Sequence, residues 1–318
     1  MSQFKKIRKN IKYNLLVAAI RMLLLVIHWL PRKIAMKTGG WLGAVAIRLL
    51  KKERLKTISN LTIAYGEEKS AGEIKAMARE VWINLGKSCV EFAIKMGQED
   101  PDEFFRDLEV SGNEYLQEAY QKGRGILGLI SHIGCWEGTA MGLPMLGIPA
   151  YAIGKRLANE KLSRVLFELR GKKGVPTLAR GSSYKTILRT LRENNLIGIL
   201  IDQDTEVRGT FVDFYGRPAY TPIGAAMLAM DSGAPVLPMF YLKKPDDTYA
   251  FIIEQELPVV LTGRRRADME ENTRRFHKVI ERYIKKYPTQ WVWMHNRWKT
   301  TPAMEQNRNK AKSNNHND

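Results

Sequence analysis

Acid–base chemistry is the first possibility that the sequence raises, because a histidine and a carboxylate stand close together after an apolar run. His132 follows the run Ile126–Ile130, and Glu137 comes five positions after His132, beyond Gly134. A carboxylate that accepts a hydrogen bond from one imidazole nitrogen fixes the tautomer, so the other nitrogen can take a proton from a hydroxyl group. We therefore predict His132 as a general base and Glu137 as its acidic partner, if a turn at Gly134 brings them together.

A structural role for the same pair is an open alternative. His132 would then cap the helix that follows, and the helix dipole would favour Glu137 in the first turn of that helix. An acid at this spacing also arises by chance, so the spacing alone carries little weight. Among the histidines, however, only His132 has both an acid five positions later and an apolar run just before it.

Three further charged residues are candidates for the same site. Asp202 and Asp204 follow the apolar run 196–201. Ligands of open α/β sheets collect beyond the carboxyl ends of the strands, so these acids and His132 are expected at one crevice. For Asp204 the capping of a turn is an equally good explanation. Arg170 closes a helical segment, where it either satisfies the last carbonyl groups or points at an anionic centre.

Several other chemistries are not indicated. The sequence has no Gly-x-Ser-x-Gly elbow, no Walker loop and no dinucleotide-binding glycine fingerprint. Its two cysteines and five histidines lack the spacing of a zinc site, so we expect neither a metal nor a cofactor. Cys135 is a conceivable nucleophile beside His132, but a packed thiol is the commoner fate of such a cysteine.

The elements that must position these residues indicate a mixed α/β domain. Continuous apolar runs at Ile126–Ile130, 196–201 and 236–240 are typical of strands covered on both faces, which are usually parallel. A capping-box pair, Ser70 and Glu73, opens a long helix that reaches about residue 96. Further helices are expected at 136–146, 159–170, 184–194, 222–232 and 267–287. We therefore predict a largely parallel central sheet flanked by helices.

The net charge of +18 over 318 residues comes mainly from the amino-terminal segment. Residues 1–60 contain 14 basic side chains and a single acid, Glu53. This excess surrounds the most apolar stretch of the protein, residues 13–31, so a membrane is indicated and a nucleic acid is not. As a helix, that stretch would extend roughly 28 Å, about the thickness of the hydrocarbon core of a bilayer.

Residues 13–31 are predicted to form a hydrophobic membrane-anchor helix. Asn14, Arg21 and His28 recur every seven positions and form one narrow polar stripe along such a helix. The stripe favours a monotopic or shallowly inserted anchor, and a transmembrane helix is the alternative. A cleaved signal peptide is not indicated, because Arg21 interrupts the apolar centre and no small-residue cleavage pattern follows.

The chain divides into three regions on these grounds. A basic membrane-anchor region covers 1–60, a catalytic domain covers 61–300, and a tail covers 301–318. The tail has almost no large apolar side chain and is expected to be disordered. The two cysteines of the chain give no sign of a disulfide framework, which predicts that the body of the protein is cytoplasmic.

Four motifs resemble those of one enzyme family. They are, in chain order, 131–137 (SHIGCWE), Asp202-Gln203, 208–219 (RGTFVDFYGRPA) and 288–299 (PTQWVWMHNRWK). Their residues and order resemble the late acyltransferases of lipid A biosynthesis, the lauroyl and myristoyl transferases, within the glycerolipid acyltransferase superfamily. The resemblance runs from the predicted anchor to about Lys299.

The resemblance implies a membrane-bound acyltransferase on the cytoplasmic face of the inner membrane. Such an enzyme takes an acyl chain from acyl carrier protein and esterifies a hydroxyl group of a lipid A precursor. His132 matches the family's catalytic base and Glu137 its acidic partner. Arg170 matches an arginine important for activity, and Asp202 matches the acid of the Asp-Gln motif. Asn296 is a departure, because many members carry a basic residue there.

Basic side chains are expected to hold the two acidic partners of this reaction, acyl carrier protein and the phosphates of the acceptor. The candidates are Lys155, Arg156, Arg208, Arg217 and Arg297. Relatives with the same signature acylate other glycolipids, so another glycolipid or a lysophospholipid is the alternative acceptor. A non-enzymatic membrane scaffold is a rival from another class, and it would not need His132 or Asp202 at strand ends.

Overall fold

A computed structural model of the chain describes residues 22, 26, 27, 29–154, 160–179 and 184–307, including all their side chains except those of 161, 162 and 166. The predicted anchor helix at 13–31 therefore lies largely outside the described residues. Among those that are described, no helix combines the length and the apolar character needed to cross a bilayer.

Helices and strands alternate along most of the described chain. The helices are α1 (Arg32–Leu49), α2 (Lys51–Tyr65), α3 (Ala71–Gly97), α4 (Pro101–Phe105), α5 (Asn113–Gln121), α6 (Trp136–Met145), α7 (Glu160–Lys172), α8 (Tyr184–Arg192), α9 (Gly224–Ser232) and α10 (Arg265–Lys286). The strands are β1 (Leu108–Ser111), β2 (Ile126–Ile130), β3 (Ala150–Gly154), β4 (Thr177–Ala179), β5 (Leu196–Leu200), β6 (Gly209–Phe214), β7 (Arg217–Pro222), β8 (Val236–Lys243) and β9 (Tyr249–Ile253).

A central sheet joins seven strands in the order β1-β9-β8-β2-β5-β3-β4. The five strands from β8 to β4 are mutually parallel, whereas β9 runs antiparallel to β8 and parallel to β1. Strand β2 is buried on both faces, because Ile126 and Ile130 belong to one hydrophobic cluster and Leu127 and Leu129 to another. The prediction of a mixed α/β fold with a largely parallel sheet is therefore confirmed.

The local sequence signals are also confirmed at particular residues. Strand β2 has the predicted bounds, β5 ends one residue earlier than the apolar run, and β8 continues to Lys243. At the start of α3 the Ser70 hydroxyl accepts the backbone N–H of Glu73, and the Glu73 carboxylate accepts the backbone N–H of Ser70. This reciprocal pair satisfies two N–H groups that the first turn of a helix leaves unpaired.

Helix α1 lies unusually close to α3 because glycines form the contact. A Cβ atom at Gly43 of α1 would lie 2.0 Å from the carbonyl oxygen of Trp82, and one at Gly86 of α3 would lie 2.1 Å from that of Gly39. No side chain fits at these positions without moving one helix. The glycines therefore determine which face of α1 is turned towards the body of the protein.

A buried ion pair adds a polar connection at the start of α1. Arg32 donates a hydrogen bond of 2.6 Å to Glu91 of α3, whose carboxylate is fully buried. The hydroxyl group of Tyr241 on β8 donates to the other oxygen of Glu91 at 3.0 Å. These contacts connect α1, α3 and the central sheet.

The carboxyl-terminal part of the described chain departs from the expectation. Strands β6 and β7 form a separate antiparallel hairpin that packs against α10. Residues 302–307, part of the tail expected to be disordered, form a short helix. The hydroxyl group of Tyr220 lies 3.4 Å from the carboxylate of Glu305 and connects this helix to β7. Residues 308–318 lie outside the described part of the chain.

Candidate active site

The register of the sheet explains why His132 and Asp202 meet. Ile130, the last residue of β2, is paired with Leu200, the last residue of the neighbouring parallel strand β5. His132 and Asp202 each come two residues after these partners, so they leave the same edge of the sheet at the same level. Strand pairing therefore explains why the two strand ends lie together, as expected.

Asp202 holds His132 through two contacts. Its Oδ1 atom lies 2.8 Å from Nδ1 of the imidazole, and its Oδ2 atom accepts the backbone N–H of His132 at 2.7 Å. The indole N–H of Trp291 donates to the same Oδ2 at 2.8 Å. Because a charged carboxylate only accepts hydrogen bonds, we infer that Nδ1 carries the proton and that Nε2 is the basic nitrogen.

The surroundings of Asp202 keep its carboxylate charged. The side chain is completely buried, and burial alone would raise its pKa. The electrostatic interaction with His132 and the hydrogen bonds from His132 and Trp291 outweigh that effect and hold the pKa of Asp202 well below its usual range. The imidazole itself is 24% exposed, and none of the described residues forms a hydrogen bond with its Nε2 atom.

Backbone contacts fix the turn that carries His132. Gly134 has a φ of 59°, and a Cβ atom there would lie 2.1 Å from the carbonyl oxygen of Tyr241. Only glycine fits this position. The N–H of Cys135 donates to the same carbonyl at 2.8 Å, and the N–H of Val292 donates to the carbonyl of His132 at 3.0 Å. The turn is therefore held between β8 and the segment after α10.

The structure corrects the predicted partner of Glu137. This residue lies in the first turn of α6, and its carboxylate accepts hydrogen bonds from Arg170, at 2.8 Å from Nε and 2.5 Å from Nη2. Glu137 therefore does not hold the imidazole of His132, because Arg170 engages both of its oxygens and Asp202 occupies the position beside Nδ1. Gly154 at the end of β3 gives Arg170 room, since a Cβ atom there would lie 3.2 Å from Nη1.

An apolar cleft lies beside the ion pair of Glu137 and Arg170. The cleft is open to solvent, and its empty space, including the part that opens to solvent, is about 410 Å³. Most of its wall is aliphatic, and Glu137 and Arg170 are the charged residues in it. The aliphatic part includes Ile130, Ala140, Leu143, Ala150, Val175 and Leu200. Trp136 also lines the cleft and touches His132, with ring centroids 5.3 Å apart. The imidazole is therefore connected to the cleft through Trp136 and is not itself part of the wall.

Arg297 does not lie where a substrate-binding residue would. It is fully buried and donates to the carbonyl of Tyr220 at 2.6 Å, the hydroxyl of Thr221 at 2.5 Å and Nε2 of His277 at 3.0 Å. Burial lowers the pKa of Arg297 to about 10, against the opposing effect of Asp202. The predicted contact of Arg297 with substrate does not fit this position, and the residue instead connects β7 with α10.

The other predicted substrate-binding residues have mixed positions. Arg208, just before β6, and Arg217, at the start of β7, are both exposed. Lys155 and Arg156 lie outside the described residues.

Trp291 was not predicted as a site residue, although its indole N–H donates a hydrogen bond to Asp202. Its presence in the motif 288–299 is the only signal that the sequence offers for it.

These features define a class of protein. Within the described part of the chain, no three side chains of His, Cys, Asp or Glu are grouped as a metal ion would require. The site instead offers a base of fixed tautomer, a cation held by a carboxylate, and an apolar cleft. Together these groups suit the transfer of an acyl group to a hydroxyl group, which is the chemistry of an acyltransferase.

The chain belongs to the family of bacterial lipid A biosynthesis acyltransferases, whose family model matches residues 1–300. It is 27% identical to a lipid A biosynthesis palmitoleoyltransferase of Escherichia coli (strain K12) over 282 residues, which cover 87% of this chain and 88% of that protein. It is 26% identical to a lipid A biosynthesis lauroyltransferase of the same strain over 295 residues, which cover 92% and 93%. A phosphatidylinositol mannoside acyltransferase of Mycobacterium tuberculosis (strain CDC 1551 / Oshkosh) is 27% identical over 136 residues, 42% of this chain and 43% of that protein.

Proposed function

We propose that the protein transfers a fatty acyl chain from acyl carrier protein to a hydroxyl group of a lipid A precursor, at the cytoplasmic face of the inner membrane. The observation that carries the proposal is the pair of His132 and Asp202, whose imidazole contacts Trp136 in the wall of an apolar cleft, in a chain of this family. The names of the palmitoleoyl and lauroyl transferases support the class of acceptor.

His132 acts as the general base in this proposal. Its Nε2 atom takes the proton of the acceptor hydroxyl while the hydroxyl oxygen attacks the carbonyl carbon of the thioester. The carbon–sulfur bond then breaks, the ester forms, and the departing thiolate takes the proton from His132. Asp202 keeps the hydrogen bond to Nδ1 throughout and stabilises the imidazolium formed between the two proton transfers. No covalent acyl-enzyme intermediate is needed.

Among the described residues, Arg170 is placed to stabilise the negative charge that develops on the thioester oxygen. It lies in the wall of the cleft, and its bonds to Glu137 use Nε and Nη2, which leaves the N–H groups of Nη1 for another acceptor. One such donor contributes about 3–4 kcal/mol to the stability of a transition state. Glu137 is then a positioning residue, because it fixes the plane of the guanidinium group.

The apolar cleft is proposed to hold the acyl chain of the donor. Each methylene group that leaves water contributes about 0.8 kcal/mol, so a chain of this kind is retained by the aliphatic wall without polar contacts. Lys155, Arg156, Arg208 and Arg217 remain the candidates for contact with the acidic carrier protein and the acceptor phosphates. Arg297 is removed from this set because it is buried.

Acylation of another glycolipid is the second candidate function. Part of the chain is similar to enzymes named phosphatidylinositol mannoside acyltransferase. The same base and the same cleft would serve either acceptor. The distinction therefore depends on which glycolipid receives the acyl group.

The proposal is tested by supplying the purified full-length protein with acyl carrier protein thioester and either acceptor. Mass spectrometry should detect a lipid A precursor carrying one additional acyl ester, and His132→Gln should abolish this product. Cys135→Ala is the matched control and should retain most of the transfer, because the proposed route has no cysteine nucleophile. Transfer only to the mannoside would favour the second candidate, and transfer to neither glycolipid would refute both.

A further inference from the structure

The outward face of α1 carries large apolar side chains that nothing in the described structure covers. Trp41 is 63% exposed and Leu49 is 75% exposed, and Ile34 and Leu42 are also exposed. Ile34 and Trp41 are seven residues apart, and so are Leu42 and Leu49, so the two pairs form adjacent stripes along one side of the helix. The corner between α1 and α2 continues this apolar surface through Leu50.

The protein cannot remove this surface from water by rotating α1. The opposite side of the helix contains Gly39 and Gly43, which contact the backbone of α3 too closely to admit any side chain. Ala35, Met36 and Ile47 are buried on that same side. The outward face is therefore a fixed, rigid feature of the folded body, independent of residues 13–31.

Positive charge borders the apolar stripes. Lys33, Lys37 and Arg48 of α1 and Lys51 and Lys52 at the start of α2 are exposed, and none of them forms an ion pair within the described part of the chain. Residues 1–52 contain no acid that could neutralise them. Apolar side chains, a tryptophan and a margin of lysine and arginine form the pattern of a helix that lies in a membrane interface. An interface with another protein is, by contrast, usually depleted in lysine relative to the rest of the surface.

We propose that this face, defined by Ile34, Trp41, Leu42, Leu49 and Leu50 with the cations around it, lies on a bilayer that contains anionic lipid. The partner is a lipid surface with negative headgroups, and the contact is made by the folded domain itself. This surface would determine the orientation of the folded domain on the bilayer. The inference rests on the proposed function only in assuming a lipid acceptor. Val26 and Trp29, which are also exposed, place further apolar surface just before α1.

The contact is tested with single cysteines that carry an environment-sensitive fluorophore. Trp41→Cys and Leu49→Cys report on the proposed face, and Glu270→Cys on α10 is the control, each in a full-length chain with Cys89→Ser to remove the exposed native thiol. On vesicles of phosphatidylethanolamine and phosphatidylglycerol, the labels at 41 and 49 should shift to shorter emission wavelength and be quenched by lipids that carry a nitroxide near the headgroup. The label at 270 should remain unchanged.

Two results would overturn the proposal. One is that labels at 41 and 49 respond to vesicles no more than the label at 270. The other is that they change with protein concentration in the absence of lipid, which would assign the face to a second copy of the chain.

The cations are tested by affinity for the same vesicles. A lysine near an anionic bilayer strengthens binding about fivefold, so Lys51→Gln with Lys52→Gln should weaken it roughly 25-fold. Lys278→Gln with Lys286→Gln on α10 removes the same charge elsewhere and should leave the affinity within about twofold. Equal losses in both pairs would show a nonspecific effect of net charge and refute the assignment.

Failure of this inference is distinguishable from failure of the proposed function. With donor and acceptor in detergent micelles, the Lys51 and Lys52 variant should transfer acyl groups at the rate of the unaltered protein, and only the reaction on vesicles should slow. Absence of transfer in micelles by the unaltered protein would refute the proposed function while leaving the vesicle-binding result intact.

Discussion

Asp202→Asn tests the proposed acid–base pair sharply, because the contacts of the carboxylate determine how the new amide must sit. Oδ2 accepts two N–H groups, from the backbone of His132 and from Trp291, whereas Oδ1 faces only Nδ1 of His132. The asparagine oxygen should therefore take the position of Oδ2, and its amide group should donate to Nδ1. Nδ1 must then be unprotonated, which moves the proton of the neutral imidazole to Nε2 and removes the base.

The expected loss of turnover in Asp202→Asn follows from the free-energy cost of the other orientation of the amide. In the other orientation, the NH₂ group of the amide would face the two buried N–H donors that Oδ2 accepts in the unaltered protein. Each of these donors costs about 1–3 kcal/mol when it is left without an acceptor. The inactive arrangement is therefore favoured by roughly 2–6 kcal/mol, which corresponds to a fall of about 30-fold to 10⁴-fold in the active tautomer. The structure in that case stays intact while turnover falls by about this factor.

The assay combines turnover with a direct view of the tautomer. We expect kcat for transfer from acyl carrier protein to fall in Asp202→Asn, and nitrogen NMR shifts of labelled histidine to show the proton of His132 on Nε2. Glu137→Gln is the control, because Glu137 contacts Arg170 and should leave the tautomer unchanged. Asp202→Asn with turnover within tenfold of the unaltered protein and an unchanged tautomer would refute the reasoning.

The remaining predictions concern the cation, the helix contact and acid stability. Arg170→Lys loses the paired bonds to Glu137, so kcat should fall about 10²-fold in steady-state assays with little change in thermal stability. Gly43→Leu places side-chain atoms against the carbonyl of Trp82, so it should lower the free energy of unfolding in urea by about 1–3 kcal/mol or more. Because the pKa of Asp202 in the folded protein lies below its ordinary 3.8, its contribution to stability is complete above that pH and is lost as the pH falls towards the folded pKa. Acid unfolding followed by circular dichroism should therefore be less steep in Asp202→Asn than in the unaltered protein.

The positions of the candidate residues could be predicted from sequence because the central strands are continuous apolar runs. His132 and Asp202 each follow such a run, and the carboxyl ends of parallel strands meet at one edge of a sheet. The contact between His132 and Asp202 was harder to predict, because it requires that β2 and β5 are neighbours and that Ile130 is paired with Leu200. The equal offset of two residues after each run is a signal that sequence reasoning could have used.

The predicted contact between His132 and Glu137 illustrates why spacing along the chain is a weak guide. The turn at Gly134 was expected to bring the two side chains together, but α6 begins immediately after it, and Glu137 is turned towards Arg170 of α7. A residue that arrives from a different helix cannot be placed by local periodicity. The contact therefore required the tertiary structure.

The prediction for Arg297 failed for a different reason. Its motif resembles one that binds substrate, but the residue makes structural contacts. Its guanidinium group is buried among Tyr220, Thr221 and His277, and charge in a motif does not reveal burial. Strands β9 and β1 at one end of the sheet were also missed, because β9 alternates between buried and half-buried residues and β1 has only four residues. Short alternating segments of this kind give a weaker signal than the apolar runs of the central strands.

In the proposed reaction, the imidazole of His132 takes the proton of a glycolipid hydroxyl during direct acyl transfer. A single turnover of the full-length protein with acyl carrier protein thioester and lipid A precursor, followed by intact-mass and lipid mass spectrometry, tests it most directly. We expect ester formation with no acyl group on the unaltered protein at any time, and no ester above background for folded His132→Ala. A His132→Ala protein that forms the ester at nearly the unaltered rate, or an acyl group found covalently on the enzyme during the turnover, would refute this mechanism.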